Sequence, residues 1–243
     1  MTRRIVLACF LVVALCASVQ ADEPAAAPPP YAPTDQYEAI DVAGWRVLVL
    51  RAFPAEHSEL HTETMVHLQH QLYQIARRLP AAAVEKLRNI PIWVELDEPH
   101  HPCMCYHPDA GWLRENGMNP DKAGAVEIAN AANFLTWTID QPWMVLHELA
   151  HGYHHRFLDG GFDNAEVLAC FEESMAERRY DEVQRISGRT ERAYAATNQM
   201  EYFAEASEAL FGANDFYPFV RSELLQHDPD FHALLEKLWL VRE

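Results

Sequence analysis

The segment HELAH at 147–151 determines which fold and which chemistry this chain is expected to have. Its two histidines are four residues apart, so on a helix they share one face and both imidazoles can reach a single ion. Glu148 follows His147 directly and can reach a water molecule held by that ion. The surrounding positions are apolar and can bury the opposite side of the helix: Val145, Leu146, Leu149 and Ala150. The segment predicts a helix that binds one zinc ion; the alternative is a partly exposed helix whose histidines only cover the core.

Residues on either side of the motif suggest where this helix begins and ends. Asp140 is suited to cap the helix N-terminus, and Pro142 is suited to its first turn. We expect the helix to run to about Leu158, because Gly160 and Gly161 follow and glycine commonly ends a helix.

A catalytic zinc site needs three protein ligands and one open position, so a third ligand must come from elsewhere in the chain. The class of peptidases with a third histidine six residues after the motif is excluded, because that position is Phe157. The third ligand is then a carboxylate from a later helix. Glu172 and Glu173 stand about where thermolysin-like enzymes place theirs. The full set of candidates is Glu172, Glu173, Glu177, Glu201 and Glu205.

The later segment YAATNQMEYFAEA at 194–206 carries a family resemblance. Together with the HELAH motif it is similar to the catalytic region of gluzincin metallopeptidases of the anthrax lethal factor type. That family pairs H-E-x-x-H with a later Y-x-x-T-N-x-x-E-[FY]-F-A-E-A stretch. The likeness covers the neighbourhood of these two motifs and not the whole chain. The family's toxin members also carry large extra domains for which this chain has no room, so the resemblance implies the chemistry and neither toxicity nor a particular substrate.

The resemblance implies a role for three residues of the second segment. Glu201 would be the third zinc ligand, Tyr194 would donate a hydrogen bond to the developing oxyanion, and Glu205 would orient a ligand histidine from behind. Each has an alternative. Asn198 and Glu201 have capping-box spacing, so Glu201 could close the helix end instead. Tyr194 could be a core aromatic residue, and Glu205 could lie on a solvated face.

These motifs predict a zinc-dependent metallopeptidase that acts on peptides or proteins. Glu148 would be the general base that takes the proton of a zinc-activated water. Two alternatives stay open at this point: a non-catalytic binding protein that keeps the same scaffold, and a zinc hydrolase of a non-peptide amide.

The remaining sequence predicts an α+β fold, which the resemblance specifies further as zincin-like: a small mixed sheet with the active-site helix, followed by a mainly helical C-terminal part. The expected strands are 45–53, 90–96 and one within 125–135. The expected helices are 56–79, 163–186, 197 or 198 to 211, and 228–241, while 97–122 is expected to be a long loop.

By analogy with zincins, a strand over 126–134 would border the cleft and pair with an extended substrate. Asn130 and Asn133 on this strand would add polar contacts to the substrate. We expect His154 and His155, at the end of the motif helix, to be surface groups or supports for the ligands.

Histidine and cysteine are concentrated in the expected loop, at His100, His101, Cys103, Cys105 and His107. This cluster could bind a second metal ion, but its spacing matches no standard zinc module. A loop near the cleft with one of its cysteines in a disulfide is the favoured interpretation. Cys170 is the expected partner, because Cys103 and Cys105 are too close to pair comfortably.

The N-terminus predicts export. Arg3 and Arg4 precede an apolar run and a small-residue cleavage site, so 1–21 is typical of a signal peptide. The Pro/Ala-rich stretch 22–36 is expected to be a linker, and 37–243 the folded domain. The product would be secreted or periplasmic, and no second apolar stretch is long enough for stable membrane insertion.

A formal charge of −17 over 243 residues without a basic run argues against nucleic-acid binding. The sequence gives no prediction of the oligomeric state.

Overall fold

The computed structural model of the protein describes residues 30–241. The predicted signal peptide, 1–21, and residues 22–29 of the predicted linker lie outside the described residues. Between residues 30 and 241, no helix has both the length and the apolar character needed to cross a membrane.

A five-stranded mixed sheet organises the N-terminal half of the described chain. Its strands are β1 (Tyr37–Val42), β2 (Trp45–Leu50), β3 (Ile92–Val94), β4 (Met104–His107) and β5 (Ala125–Ile128). They lie in the order β1-β2-β3-β5-β4. The three central strands are parallel, and both edge strands are antiparallel to their neighbours. In the register, Ile92 lies opposite Val47 on one side and Val126 on the other.

Side-chain alternation along these strands gives the sheet two different faces. Val47, Ile92 and Val126 point into the main hydrophobic core, which the helices cover. The adjacent residues in the chain, Leu48, Trp93 and Ala125, point to the other face. Together with Tyr37 of β1 they form a second, smaller cluster. Ala32 packs against this second cluster, and Asn119 Nδ2 donates a hydrogen bond to its carbonyl (3.1 Å). The last residues of the predicted linker therefore contact the sheet.

Helices cover the main-core face and make up the C-terminal half, so the predicted α+β class is confirmed. They are α1 (Ala52–Glu56), α2 (Ser58–Arg78), α3 (Ala81–Leu87), α4 (Ala110–Glu115), α5 (Ala131–Trp137), α6 (Met144–Phe157), α7 (Ala165–Ala176), α8 (Gln199–Phe211), α9 (Arg221–His227) and α10 (Pro229–Leu238). A short hairpin of β6 (Val183–Gln184) and β7 (Thr190–Glu191) separates α7 from α8.

The HELAH motif lies in α6, which packs between the sheet and α8. Close approach to the sheet depends on Gly152, directly after the motif. A Cβ atom at this position would lie 2.6 Å from Ile90 Cδ1 and 3.0 Å from the Tyr106 ring. The helix begins at Met144, so the prediction that Asp140 caps it is wrong. Asp140 instead lies in the turn that ends α5, where its backbone N–H donates to the Trp137 carbonyl.

Several predicted elements are shorter than expected. The strand predicted for 45–53 ends at Leu50, and the strand predicted for 90–96 covers only Ile92–Val94. The helix predicted for 163–186 ends at Ala176, because Arg178 adopts a left-handed backbone conformation (φ 60°). The strand predicted within 125–135 ends at Ile128. There the Asn130 side chain accepts a hydrogen bond from the Asn133 backbone N–H (2.8 Å) and so starts α5.

The predicted disulfide is also wrong. Cys103, Cys105 and Cys170 are all free. Cys103 is buried with its Sγ 3.5 Å from Met144 Sδ, beside α6. Cys105 belongs to β4, and Cys170 to α7.

Buried Asp228 fixes α8 against the other C-terminal helices. Its carboxylate accepts hydrogen bonds from Ser174 of α7 (2.7 Å) and from Tyr202 of α8 (2.5 Å), and it pairs with Arg179 (3.1 Å). The same side chain caps α10, which corresponds to the helix predicted for 228–241. Tyr202 is the residue after Glu201, so this network also limits where Glu201 can lie.

Burial of His154, on the last turns of α6, was not expected from the sequence. The side chain is fully buried between the rings of Phe162 and Phe203, and neither of its nitrogens has a hydrogen-bond partner. Because burial disfavours the charged imidazole, and His151 and His155 add to the effect, the pKa of His154 is lowered to about 3. His154 is therefore a neutral core residue and not a surface group.

This burial predicts a pH-dependent stability. Between pH 3 and about 6.5 the unfolded chain binds one more proton at His154 than the folded chain does. The free energy of unfolding should therefore fall by about 1.4 kcal/mol for each unit of pH lost in this window. Replacing His154 with Leu should remove this contribution.

Urea unfolding across this range checks the prediction, with His70→Leu, at an exposed position of α2, as the matched control. The pH slope should become shallower in His154→Leu and stay unchanged in the control. Equal slopes in His154→Leu and the parent protein would contradict a neutral, buried His154.

Candidate metal centre

Three side chains from two helices converge on one point. His147 and His151 project from the same face of α6, and Glu201 reaches them from α8. Glu201 Oε2 lies 3.1 Å from His147 Nε2 and 3.2 Å from His151 Nε2. Each residue thus offers one ligand atom, and all three atoms lie within 4.8 Å of one another. The group can hold a metal ion.

Glu201 is positioned by the start of α8. Asn198 caps this helix, and its side chain accepts hydrogen bonds from the backbone N–H groups of Met200 and Glu201 (both 2.9 Å). Only half of a capping box forms, because the Glu201 carboxylate contacts the two imidazoles and not the Asn198 backbone. Its second oxygen accepts a hydrogen bond from the Tyr194 hydroxyl (3.2 Å). The cap role considered for Glu201 is therefore filled by Asn198 alone.

Three of the other candidates for the third ligand do not reach the histidines. Glu172, Glu173 and Glu177 are exposed on or just after α7. Glu177 pairs with Arg179 instead.

Two further carboxylates of α8 lie behind His147. Glu208 Oε1 is 2.8 Å from His147 Nδ1, whereas Glu205 Oε1 is 3.7 Å away. Glu205 instead accepts a hydrogen bond from Asn214 Nδ2 (3.1 Å). The orienting role that the resemblance implied for Glu205 therefore fits Glu208 better. Glu201, Glu205 and Glu208 lie on one face of α8, because they are four and three residues apart. This spacing is the signal in the sequence that points to Glu208.

The electrostatics of this cluster favour a bound cation. Among the described residues, no lysine or arginine forms an ion pair with Glu148, Glu201, Glu205 or Glu208. Burial raises the pKa of both Glu205 and Glu208. Burial would also raise the pKa of Glu201, but its hydrogen bonds to the two imidazoles lower it well below the usual value. Burial alone would lower the pKa of His147, yet the Glu201 and Glu208 carboxylates raise it well above its usual value.

A cavity of about 680 Å³ opens beside the cluster. Glu148 and Tyr194 line it, together with His147, so the expected base and oxyanion donor face the same space. Tyr194 is about half exposed, and burial of its hydroxyl together with the charge of Glu201 raises its pKa to about 12. The hydroxyl therefore keeps its proton at neutral pH and can act as a hydrogen-bond donor.

The strand that borders this cavity is β4 and not the one predicted. Strand β5 is an inner strand, whereas Met104 of β4 and the preceding Cys103 line the cavity. Asn130 and Asn133, the expected substrate contacts, are not among the lining residues. Asn130 caps α5 and bonds Asp97 (2.8 Å), and Asn133 donates to the Pro102 carbonyl (2.6 Å). These two side chains hold the loop that leads into β4.

Several lining residues were not identified from the sequence. Arg185 comes from the β6–β7 hairpin, and Arg192 comes from the segment after it. The start of this hairpin overlaps the helix predicted for 163–186. Arg185 pairs with buried Asp215 (3.0 Å), and Arg192 donates to the Ala196 carbonyl (2.6 Å). His155 also has a structural role: a hydrogen bond joins it to the Tyr106 hydroxyl (2.8 Å), and its ring stacks on Phe162.

Comparisons of the chain with protein-family models, with curated proteins and with solved structures give no match. The contacts within the centre therefore carry the information about its chemistry. The most informative of these is the meeting of two imidazoles and one carboxylate beside an open cavity.

The contacts of His147 Nδ1 predict which carboxylate supports metal binding. Replacing Glu208 with Gln keeps the size of the side chain but removes the charge that holds the imidazole. We expect the affinity for zinc to fall about 10- to 100-fold. The matched control, Glu205→Gln, should change it less, because Glu205 is farther from His147.

Competition with a chromophoric chelator measures both affinities, and circular dichroism checks that both variants are folded. A larger loss in Glu205→Gln than in Glu208→Gln would reverse the assignment.

Proposed function

We propose that the protein is an exported zinc-dependent metallopeptidase with a zincin-like fold. The observation that carries the proposal is the convergence of His147, His151 and Glu201 beside a cavity that Glu148 and Tyr194 line. The chemistry of this donor set suits zinc, which binds imidazole and carboxylate ligands.

The spacing of the donor atoms also suits zinc. Two atoms that bind one zinc ion at about 2.1 Å with tetrahedral angles lie about 3.4 Å apart. The separations from Glu201 Oε2 to the two imidazole nitrogens are 3.1 and 3.2 Å. A set of three protein ligands leaves one position open, which is typical of catalytic zinc and not of structural zinc. When bound, zinc would lower the pKa of a water molecule and polarise a carbonyl group.

Glu148 is the residue that would move the proton. It follows the ligand His147, lines the cavity, and forms no ion pair with any described lysine or arginine. Its carboxylate can take a proton from the attacking water and pass it to the departing amine. The Tyr194 hydroxyl, protonated at neutral pH, can donate to the tetrahedral oxyanion of the substrate.

The edge strand β4 supports a peptide as the substrate. Among residues 30–241, β4 pairs only with β5, so its other edge has free backbone N–H and C=O groups. An extended peptide can add to such an edge as a further strand. Met104 and Cys103, at the start of this strand, line the same cavity as Glu148, so a peptide bound here would run past Glu148.

A substitution of Glu148 tests the proposed reaction. Glu148→Gln should keep zinc but lower turnover of a fluorogenic peptide library by at least about 10²-fold, because general base catalysis is lost. His147→Ala should lose the metal itself. Glu173→Gln, at an exposed carboxylate of α7, is the matched control and should retain full activity.

Metal analysis of each variant separates these two effects, and a chelator should abolish the parent activity. The proposal fails if Glu148→Gln cleaves as fast as the parent. A zinc-loaded parent protein that cleaves no peptide would instead favour a binding protein on this scaffold.

Replacing Tyr194 with Phe isolates the oxyanion role. This variant should lose about 10²-fold in kcat, with KM and metal content little changed, because only the hydroxyl donor is removed. Steady-state kinetics on one cleaved peptide measure the effect. An unchanged kcat would show that Tyr194 supports only the local structure.

A further inference from the structure

A second cluster of metal-binding side chains lies on the other side of β4. Along this strand Met104 and Tyr106 face α6, so Cys105 and His107 point to the opposite face of the sheet. Cys105 Sγ is 3.4 Å from His107 Nε2. A thiolate and an imidazole on one tetrahedral zinc ion are about 3.6 Å apart, given bond lengths of about 2.3 and 2.1 Å. Two donors are thus already at ligand spacing.

The third donor comes from the loop before the strand. His101 belongs to this cluster, and its Nε2 is buried without a hydrogen-bond partner among the described residues. Its ring packs edge-on against the His107 ring, with the centroids 5.3 Å apart. One ligand atom from each of His101, Cys105 and His107 lies within 4.8 Å of the other two. A buried nitrogen without a partner is costly unless a ligand satisfies it.

The charges around the cluster also favour a cation. Glu127 lies opposite Cys105 in the register, and its Oε2 is 2.5 Å from His107 Nε2. Its other oxygen bonds Lys122, which also bonds Glu95 (2.6 Å). Two buried carboxylates therefore share one lysine. A divalent ion with the Cys105 thiolate would make the whole group electrically neutral, and burial of a neutral group is far less costly than burial of a net charge.

We propose that His101, Cys105 and His107 form a second metal site that takes a thiolate-preferring divalent ion such as Zn²⁺, with Glu127 as the nearest fourth donor. Binding would release the Cys105 thiol proton to solvent and would displace the proton from His107 Nε2, which a neutral imidazole then carries on Nδ1, because both donor atoms bind the ion through lone pairs. The site is independent of the proposed peptidase centre. It uses none of the same residues and lies on the opposite face of β4. Closed by four protein donors, it would be structural, joining the loop 97–103 to the edge strand.

Cobalt substitution tests this site separately from the other one. Co²⁺ bound by a thiolate gives a charge-transfer absorption in the near ultraviolet, which a site with only nitrogen and oxygen ligands does not give. The protein, stripped with a chelator and titrated with Co²⁺, should show this band. Cys105→Ser and His101→Ala should lose it, while His147→Ala and the matched cysteine control Cys170→Ser should keep it.

Zinc content gives a second readout that does not depend on activity. The parent protein should bind about two ions per chain, and Cys105→Ser about one. In His147→Ala, which removes the other centre, saturating zinc should still raise Tm by about 5 °C or more, and Cys105→Ser should abolish this rise. Absence of the cobalt band, or a zinc content unchanged by Cys105→Ser in a folded variant, would overturn the proposal. Neither result would affect the test of Glu148.

Discussion

The packing of α8 against α6 is the constraint on which the rest of this structure depends. It buries the Glu205 and Glu208 carboxylates beside His147 of α6, and no lysine or arginine between residues 30 and 241 forms an ion pair with either of them. Burying uncompensated carboxylates is costly, and apolar side chains at these positions would pack at a lower cost. The Asp228 network holds α8 in this position from the other side. The interface between α6 and α8 therefore buries negative charge that only protons or a cation can balance.

Local patterns in the sequence predicted the parts of the centre that local physics controls. The i and i+4 spacing places His147 and His151 on one helix face wherever that helix lies in the fold, and Asn198 caps α8 through its own side chain. That Glu201 meets both histidines could not be derived from spacing, because it depends on how two helices pack across 50 residues of chain. The family resemblance supplied this expectation, and the geometry agrees with it. Glu208 was missed because the resemblance directed attention to Glu205.

Nonlocal pairing explains most of the errors. Strand β4 is four residues long in a segment rich in proline, histidine and cysteine, and only its pairing with β5, about 20 residues later, makes it a strand. Once β4 is the edge, β5 becomes an inner strand, and Asn130 and Asn133 fall in the turn that starts α5. The disulfide prediction failed for a related reason. Counting cysteines takes no account of which element carries each one, and β4 and α7 hold Cys105 and Cys170 apart.

Strand β4 separates two clusters of ligand-type side chains, and this arrangement would relate the stability of the fold to the proposed function of the cleft. Its Met104 side borders the cavity, while Cys105 and His107 face Glu127 and Lys122 on the other side. A short edge strand paired on one side is among the least stable parts of a sheet. A peptide that added to its free edge, as proposed, would need that edge already in place, because ordering it on binding would weaken the affinity. Polar contacts on the far face, strengthened by an ion, would hold the strand in the conformation that the cleft requires.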